Sequence, residues 1–417
     1  MQDHAKRRFA IVGFGCAGYH ALKALRASDP EAEIDVYSEH GYAPYNPMLT
    51  TYYVAGKISE AAMFPFGTLS EIAAEFRANI LSGTKVSSVD AKTLEVTDAN
   101  GSTKKYDSVL MATGASAFVP KIENDCPEKT FVMRTVDDAF ALRRALDGGR
   151  IKRAAVIGAS MTGIKVAELL MEAGAAVTLA DMAEHIFPLA AYPETARRIE
   201  KALSEKGLAL RFGAALKAIK KSGDGIEVVF DGGSVPADIA VLCIGTRANI
   251  SLLAGQVKTD RGIISDDSMQ TSAPGVFAAG DCCQAKDIQL GSERVIALWA
   301  NAGAQGEAAG YSMAGAGAEN TGSFLHNISH FMDMDFVGLG DCSISGERHV
   351  FETEKYFIEA VTKGGSLAGA NLLGCAPISG IVKNCLLRSA PITEFQAELL
   401  RREGIPDGFT DLLKGGR

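Results

Sequence analysis

The 417-residue sequence predicts an α/β fold in which two similar halves precede a smaller α+β domain. Two segments carry this prediction: one begins at Arg8 (RFAIVGFGCAGYHALKALRAS) and the other at Arg153 (RAAVIGASMTGIKVAELLMEAG). Each reads as an apolar strand, a glycine turn, a helix with helical apolar spacing and then a second strand that ends in an acid. Two such Rossmann-like units imply two dinucleotide sites.

The strands that follow each glycine turn support the same organisation. Residues 83–113 read as short alternating strands with a turn at Asn100-Gly101, and residues 207–244 repeat that plan. The repeat therefore extends to whole domains, with the second domain inserted into the first. The predicted boundaries are 1–117 and 245–322 for the first dinucleotide domain, 118–244 for the second, and 323–417 for a C-terminal α+β domain that forms an interface.

Composition narrows the classes of function. A net charge of −8 at pH 7 disfavours binding to nucleic acid or to an anionic membrane surface. No run of 18 apolar residues is present, so we expect no membrane span and a cytoplasmic protein. The eight cysteines form no CxxC pair and no zinc or iron–sulfur spacing, which predicts buried free thiols and no metal site.

The first turn has the spacing GxGxxG, directly after a strand and before a helix. The first glycine permits the tight turn, the second lets the backbone approach a pyrophosphate, and the third lets helix and strand pack closely. The phosphates would then lie at the positive end of the helix, and an acid at the end of the next strand would bind ribose hydroxyls. The residues expected to bind the dinucleotide at this first turn are Gly13, Gly15, Cys16, Ala17, Gly18 and Glu39.

The second turn, Gly158-x-Ser160-x-x-Gly163, has serine in place of the middle glycine, so the backbone can approach a pyrophosphate less freely. Asp181 ends the following strand, and no arginine comes directly after it. A carboxylate at this position binds a ribose 2′-hydroxyl and repels a 2′-phosphate, which favours NAD over NADP. The alternative is a structural glycine turn that binds no nucleotide.

Five motifs in this order resemble the FAD/NAD-linked pyridine nucleotide reductase family over about residues 8–310. Besides the two glycine turns, they are the segment that ends in Thr113-Gly114, the segment from Ala237 through Gly245 to Asn249, and TSAPGVFAAGD, which ends in Gly280-Asp281. The resemblance implies that FAD binds at the first turn and NAD at the second. It also implies that Asp281 binds the ribityl chain of FAD, and that Gly245 lies where the NAD domain closes.

Within this family, the redox-active cysteines decide the reaction. The disulfide reductases have a CxxxxC pair near the first helix, where this chain has only Cys16. The single cysteine of the NADH oxidases and coenzyme A disulfide reductases falls on Met48, which forms no thiolate or mixed disulfide. The segment 47–51 instead resembles the rubredoxin reductase and nitrite reductase branches, which pass electrons to another protein or domain. On that resemblance, Pro47 is expected to lie at the cofactor.

The resemblance therefore implies an FAD-dependent oxidoreductase that exchanges hydride with NAD(H). Electrons would pass to or from a ferredoxin-like protein or an iron–sulfur subunit, since this chain has no iron–sulfur ligands. Similarity over the segment 44–56 and the short C-terminal domain suggest the flavin subunit of a phenylglyoxylate dehydrogenase-type 2-oxoacid:acceptor oxidoreductase. We expect an oligomer or a subunit of a complex, and no catalytic acid, base or nucleophile from the protein.

Two other interpretations stay open: a self-contained NADH oxidase or small-molecule reductase, and a non-catalytic nucleotide-binding protein on a flavoprotein fold. Lys165 replaces a glutamate that many relatives have near the nicotinamide, and it either forms an ion pair or is a solvated helix residue. The adjacent Cys282 and Cys283 are expected to be packing thiols rather than a redox pair. His326 and His330 lie in a strand-like segment and are not expected to bind a metal.

Overall fold

A computed structural model of the chain describes residues 6–352, 356–388 and 391. By the density of its internal contacts, the chain divides into two compact units. The first consists of Met1–Thr50, Ile58–Ser116 and Thr246–Ser323. The second consists of Thr51–Lys57, Ala117–Gly245 and Phe324–Arg417.

The α-helices and β-strands are numbered in chain order. The helices are α1 (Cys16–Ser28), α2 (Thr50–Val54), α3 (Leu69–Phe76), α4 (Val136–Asp147), α5 (Met161–Glu172), α6 (Pro193–Glu205), α7 (Trp299–Met313) and α8 (Ser379–Leu387). The first thirteen strands are β1 (Arg8–Val12), β2 (Glu33–Ser38), β3 (Asn79–Ser82), β4 (Val86–Asp90), β5 (Glu95–Asp98), β6 (Thr103–Lys105), β7 (Ser108–Met111), β8 (Ala115–Ala117), β9 (Glu123–Asn124), β10 (Thr130–Val132), β11 (Arg153–Ile157), β12 (Ala176–Ala180) and β13 (Ala209–Arg211). The others are β14 (Leu216–Ser222), β15 (Gly225–Phe230), β16 (Gly233–Ala237), β17 (Ile239–Leu242), β18 (Thr246–Ala248), β19 (Ile263–Ile264), β20 (Val276–Ala278), β21 (Cys283–Asp287), β22 (Ser292–Arg294), β23 (His326–Phe331), β24 (Met334–Gly340), β25 (Glu347–Glu352), β26 (Phe357–Lys363) and β27 (Ser366–Leu373).

The first unit is built on a parallel sheet with the strand order β20-β7-β1-β2-β3. The strands β7 and β1 at the centre of this sheet are buried along almost their whole length because both faces of the sheet are covered, as in other parallel sheets. Their side chains, with those of α1 and α7, form one continuous core. An antiparallel meander, β4-β5-β6, joins β3 to β7 and has the turn predicted at Asn100-Gly101.

The second unit repeats this plan with a parallel sheet of order β10-β17-β11-β12-β13 and a meander of β14, β15 and β16. In both sheets, the strand before the glycine turn is central and pairs with the strand after the helix. The predicted α/β fold with two Rossmann-like parallel sheets is therefore confirmed.

The C-terminal part belongs to the second unit and contains an antiparallel sheet of order β23-β24-β27-β26-β25. The sequence pattern predicts that this part ends in helices. The helix α8 follows the last strand, and the residues predicted to form further helix lie outside the described ones. The predicted α+β character of this part is confirmed for the residues that the structure describes.

One helix boundary differs from the prediction. The run of small and apolar residues from Val295 to Met313 predicts a helix over that whole range, whereas α7 begins at Trp299. The preceding Leu298 has an extended backbone, and both its N–H and the side-chain amide of Asn301 donate to the carbonyl oxygen of Ile296 at 2.9 Å. These hydrogen bonds keep the residues just before α7 extended, so the apolar pattern begins before the helix does.

Candidate dinucleotide sites

The predicted site residues of the first unit gather at one edge of its sheet. The turn after β1 begins at Gly13, the segment after β7 contains Thr113 and Gly114, and the segment after β20 contains Gly280. Because these strands are parallel, all three segments leave from the carboxyl edge, where ligands of open α/β sheets bind. Glu39 follows the last residue of β2 at the same edge.

Two of the three glycines in the first turn are required by close backbone contacts. Gly13 has a φ of +104°, and a Cβ there would lie 2.2 Å from the carbonyl oxygen of Ala112. A Cβ at Gly18 would lie 2.4 Å from the carbonyl oxygen of Gly13. By contrast, a Cβ at Gly15 would meet nothing within 4 Å. The middle glycine thus borders open space, as the turn requires if a pyrophosphate is to approach the backbone.

The N-terminus of α1 is suited to an anion. Its N-cap is Gly15, which provides no side-chain cap, and its first turn has no acidic residue. The amides of Cys16 and Ala17 belong to the first turn of this helix, where N–H groups have no intrahelical acceptor. For comparison, α4 starts with a Thr135–Asp138 capping box. A helix start without acids or side-chain caps leaves its donors and its dipole available to a phosphate group.

Gly280 and Asp281 lie beside this turn. A Cβ at Gly280, whose φ is +80°, would lie 3.1 Å from the Cβ of Ala17, and the Gly280 N–H donates to Oε1 of the buried Gln305 at 2.8 Å. The Cys16 thiol donates to the carbonyl oxygen of Trp299 at 3.4 Å. Burial, with a smaller contribution from the charge of Asp281, raises the pKa of Cys16 to about 12. The starts of α1 and α7 and the Asp281 carboxylate therefore meet at one place.

Close packing of α1 against α7 brings these starts together. A Cβ at Gly306 would lie 2.1 Å from the carbonyl oxygen of Ala17, and one at Gly310 would lie 2.5 Å from that of Ala21. Only glycine permits this approach of the two helix backbones. The spacing of small residues in α7 could have predicted the contact, but the partner helix could not be read from it.

Thr113 and Gly114 are held by a clamp with Asn249. The Thr113 hydroxyl donates to the Asn249 carbonyl oxygen at 2.7 Å, and the Asn249 side-chain amide donates back to the Thr113 carbonyl oxygen at 2.9 Å. The Asn249 N–H also donates to the carbonyl oxygen of Gly114 at 2.9 Å. Asn249 ends one of the five sequence motifs, but no sequence signal indicates that it binds Thr113.

Pro47 opens a single 3₁₀ turn in the first unit. Its carbonyl oxygen accepts a hydrogen bond from the Thr50 hydroxyl at 2.7 Å, and the Asn46 side chain accepts one from the Met48 N–H at 3.0 Å. Met48 is 60% exposed, so an unreactive thioether is accessible at this position. Glu39 is also exposed, and its carboxylate pairs with Lys85 at 2.7 Å.

The second turn reproduces the backbone of the first. Gly158 has a φ of +108°, and a Cβ there would lie 2.3 Å from the carbonyl oxygen of Cys243. A Cβ at Gly163 would lie 1.8 Å from the carbonyl oxygen of Gly158. Gly245, with a φ of +99°, follows Cys243 at the same edge of the second sheet, and a Cβ there would meet nothing within 4 Å. The predicted residues of the second site therefore also share one edge.

Ser160 makes the two turns different. It is the N-cap of α5, its hydroxyl accepts from the Gly163 N–H at 3.2 Å, and it donates to the Cys243 carbonyl oxygen at 3.0 Å. The Ser160 side chain thus accepts a hydrogen bond from one backbone N–H at the start of α5, whereas no side chain does so at the start of α1. The first turn of α5 has no acidic residue either, so the dipole of this helix still favours an anion.

Asp181 is fixed next to the second turn. Its Oδ2 accepts from the Ala159 N–H at 2.6 Å, and its Oδ1 accepts from the Ala183 N–H at 2.8 Å. The carboxylate of the residue predicted to bind ribose is thus oriented by the glycine turn itself. The residue that follows, Met182, is 76% exposed and uncharged.

Lys165 is not a solvated helix residue. Its ammonium group pairs with Glu168, donates to the carbonyl oxygen of His330 at 3.0 Å and lies 5.0 Å from the ring centre of Tyr52. Glu168 in turn accepts a hydrogen bond from the Met332 N–H at 2.6 Å. Of the two alternatives for Lys165, the structure therefore shows the ion pair, and the anion is Glu168.

None of the eight cysteines is placed to supply a thiolate. Seven are buried and Cys342 is half-buried, with no disulfide among them. Burial raises the pKa of Cys243, Cys342 and Cys375 to about 12, and that of Cys282 and Cys283 well above its usual value. The neighbouring thiols of Cys282 and Cys283 have separate hydrogen-bond partners, the carbonyl oxygens of Met111 and Ala279 for the first and the Ser265 hydroxyl for the second.

The described residues show little else that would bind a small molecule or a metal ion. A cleft of about 360 Å³ opens at the amino-terminal edge of the first sheet, where Lys6 pairs with Glu31 at 3.3 Å and Arg26 donates to backbone carbonyl oxygens. No group of three or more metal-ligating side chains occurs in the part of the chain that the structure describes. Within the same residues, no helix has both the length and the apolar character needed to cross a membrane.

The sequence matches the Pyridine nucleotide-disulphide oxidoreductase family over residues 7–306. The chain belongs to this family. Its members are FAD- and NAD(H)-dependent oxidoreductases, so the chain is a flavin oxidoreductase of Rossmann-type fold.

Individual relatives add detail. The chain is 29% identical over 411 residues, 95% of either chain, to the NADH-dependent phenylglyoxylate dehydrogenase subunit epsilon of Aromatoleum evansii. It is 30% identical over 311 residues, 74% of this chain and 77% of the other, to a 3-phenylpropionate/cinnamic acid dioxygenase ferredoxin–NAD(+) reductase component of Photorhabdus laumondii. The water-forming NADH oxidase from Lactobacillus brevis, solved with bound NADH, superposes with a TM-score of 0.89 at 24% identity over 94% of this chain and 93% of the other.

Proposed function

We propose that the chain is an FAD-dependent NADH:acceptor oxidoreductase that exchanges electrons with a separate iron–sulfur protein or subunit. The observation that carries the proposal is the combination of two features. The chain has two glycine turns of the same geometry, and it has no reactive thiol, because Met48 is a thioether and the cysteines are buried. The turns support binding of two dinucleotides, and the missing thiol supports an acceptor outside the chain.

At the first turn, the residues present fit FAD. Gly15 leaves room for a pyrophosphate, the first turn of α1 offers backbone donors that include Cys16 and Ala17, and Asp281 lies beside them. The clamp of Thr113 on Asn249 would hold the neighbouring backbone rigid. When bound, FAD supplies two-electron exchange with a nicotinamide and one-electron exchange with an iron–sulfur centre.

At the second turn, the residues present fit NAD(H). The start of α5, which Ser160 caps, would bind the pyrophosphate through backbone donors, and Asp181 would accept hydrogen bonds from the adenosine ribose. No cation directly follows Asp181, so a 2′-phosphate would meet an uncompensated carboxylate. Here the protein contributes position and charge, and no side chain is assigned a proton transfer.

The relative from Aromatoleum evansii supports a multi-subunit complex as the setting, since it aligns over 95% of both chains and its name describes a subunit of an NADH-dependent phenylglyoxylate dehydrogenase. The ferredoxin–NAD(+) reductase relative supports a ferredoxin-like acceptor. Electron flow in either direction, from NADH to the partner or from the partner to NAD, is compatible with the arrangement.

The test is anaerobic reduction of the purified protein by NADH and by NADPH, followed by addition of ferredoxin, a one-electron acceptor, or of oxygen. We expect fast bleaching of the flavin by NADH, slow bleaching by NADPH, fast reoxidation by ferredoxin and slow reoxidation by oxygen. Rapid turnover with oxygen alone would replace the proposal with an NADH oxidase. No bleaching by either nucleotide would leave a nucleotide-binding protein without this activity.

A further inference from the structure

Unfavourable backbone conformations are concentrated near the second turn. Six non-glycine residues in the described part of the chain have a positive φ, and three of them belong to one assembly in the second unit: Phe187, Met332 and Asp333, with φ of +52°, +45° and +61°. A bulky side chain is rarely found in this region, because its Cβ crowds the following carbonyl oxygen. Such conformations persist only where surrounding contacts enforce them, and they cluster at functional sites.

Phe187 contacts the turn directly. Its N–H donates to the carbonyl oxygen of Ala159 at 2.9 Å, and Ala159 is the residue between Gly158 and Ser160. The N–H of Ala159 donates to Asp181. Phe187 thus binds the carbonyl oxygen of Ala159, and the N–H of the same residue orients the carboxylate of Asp181.

The ring of Phe187 is held by the hairpin of β23 and β24. It stacks on Phe336 with ring centres 5.2 Å apart and planes 25° apart, and meets Phe331 edge-on at 5.4 Å. All three side chains are almost fully buried. Aromatic pairs with these geometries fix ring orientation as well as bury area, so the hairpin determines where Phe187 can lie.

The hairpin is itself held by the helix that starts at the turn. Its two-residue connection, Met332-Asp333, has positive φ at both positions, as a type I′ turn requires, but lacks the Asn-Gly that such turns favour. Glu168 of α5 accepts from the Met332 N–H at 2.6 Å, and Lys165 donates to the His330 carbonyl oxygen at 3.0 Å. The pairing of Lys165 with Glu168 aligns both groups. The contacts therefore form a closed circuit from the turn through α5 and the hairpin back to Phe187.

We propose that Phe187 is a positioning residue for the NAD site, and that the β23–β24 hairpin sets the affinity of the second turn for NADH by holding it. The inference rests on the proposed function, because it takes the second turn as the NAD site. Phe187 binds the turn through its backbone N–H, and its side chain acts on nucleotide binding by fixing that backbone. Phe336 acts one step further away by holding the ring.

The test compares Phe187→Leu and Phe336→Leu with Phe324→Leu, a buried phenylalanine of the same C-terminal part whose ring contact is with His326. We expect both test variants to raise the KM for NADH and the Kd for NAD by about tenfold, since small misplacements of a binding element cost this much or more. Flavin content and the rate of flavin reduction at saturating NADH should stay unchanged. Phe324→Leu should change neither constant.

The outcomes distinguish a failure of the proposed function from a failure of the positioning role of Phe187. If the unsubstituted protein binds no NADH, the proposed function fails. If it binds NADH and both test variants bind as tightly as it does, or if Phe324→Leu weakens binding equally, only the positioning role is overturned. Should Phe187→Leu fail to fold, Phe336→Leu and Glu168→Gln decide the matter, because the circuit requires both to weaken NADH binding while flavin content is kept.

Discussion

The two glycine turns have the same backbone but differ at the middle position. Gly13 and Gly158 have φ values of +104° and +108°, and each approaches a carbonyl oxygen at the end of the neighbouring strand. Gly15 leaves the start of α1 without a side-chain cap, whereas Ser160 caps α5. The first and third glycines of each turn are therefore required by the fold. A glycine at the middle position is not required by the fold, and it leaves space that a ligand could use.

The largest effects are expected from a methyl group at the first glycine of each turn. Gly13→Ala places a Cβ 2.2 Å from a carbonyl oxygen and strains a positive φ, at a cost of about 3 kcal/mol or more. We expect loss of bound FAD, measured by flavin absorbance after purification. Gly158→Ala, the matched change, should keep FAD and slow reduction by NADH by roughly 100-fold. Equal loss of FAD in both variants would show that the turns do not serve separate cofactors.

A smaller effect is expected from the acids that follow each turn. Asp181→Asn keeps an acceptor for the Ala159 N–H but removes the charge, so the preference for NADH over NADPH should fall by about tenfold in kcat/KM. Glu39→Gln is the control, since this acid lies in the other half and pairs with Lys85. It should leave the nucleotide preference unchanged. An unaltered preference in Asp181→Asn would remove the charge of Asp181 as its source.

The smallest effect is expected from exchanging the middle residues. Ser160→Gly frees the Gly163 N–H and the space at the start of α5, so the affinity for NADH should rise by about threefold, with little loss of stability. Gly15→Ser makes the reverse change where a Cβ meets nothing, and FAD should bind about threefold more weakly. Calorimetric titration with NAD and with FAD measures both. Weaker NAD binding by Ser160→Gly would mean that the hydroxyl serves the nucleotide.

The sequence was sufficient for the fold and for the edges where the candidate sites lie. Strand periodicity and glycine spacing are local signals, and they located both turns, Asp181 and the segment before Asp281. The start of α7 was misplaced because an apolar pattern cannot distinguish an extended lead-in at Leu298 from a helix.

What the sequence could not provide are contacts between distant segments. Three contacts join residues whose proximity only the tertiary fold determines. They are the hydrogen bond from the Met332 N–H to Glu168, the clamp of Asn249 on Thr113, and the hydrogen bond from the Gly280 N–H to Gln305. The positive φ of Phe187 has no sequence signature, because phenylalanine is a poor choice for that conformation. The ring that stacks on Phe187, that of Phe336 in β24, lies far along the chain.

The second unit is assembled from three separate stretches of chain, and this has a consequence for biosynthesis. The ribosome makes the first stretches, including the turn at Gly158, long before it makes Phe331 and Phe336. Domains usually fold as their segments emerge, but here the ring of Phe187 cannot pack on Phe331 and Phe336 until the C-terminal hairpin has left the exit tunnel. A nascent chain halted after residue 245 would therefore have both glycine turns, yet it would lack the strands that hold Phe187 in place.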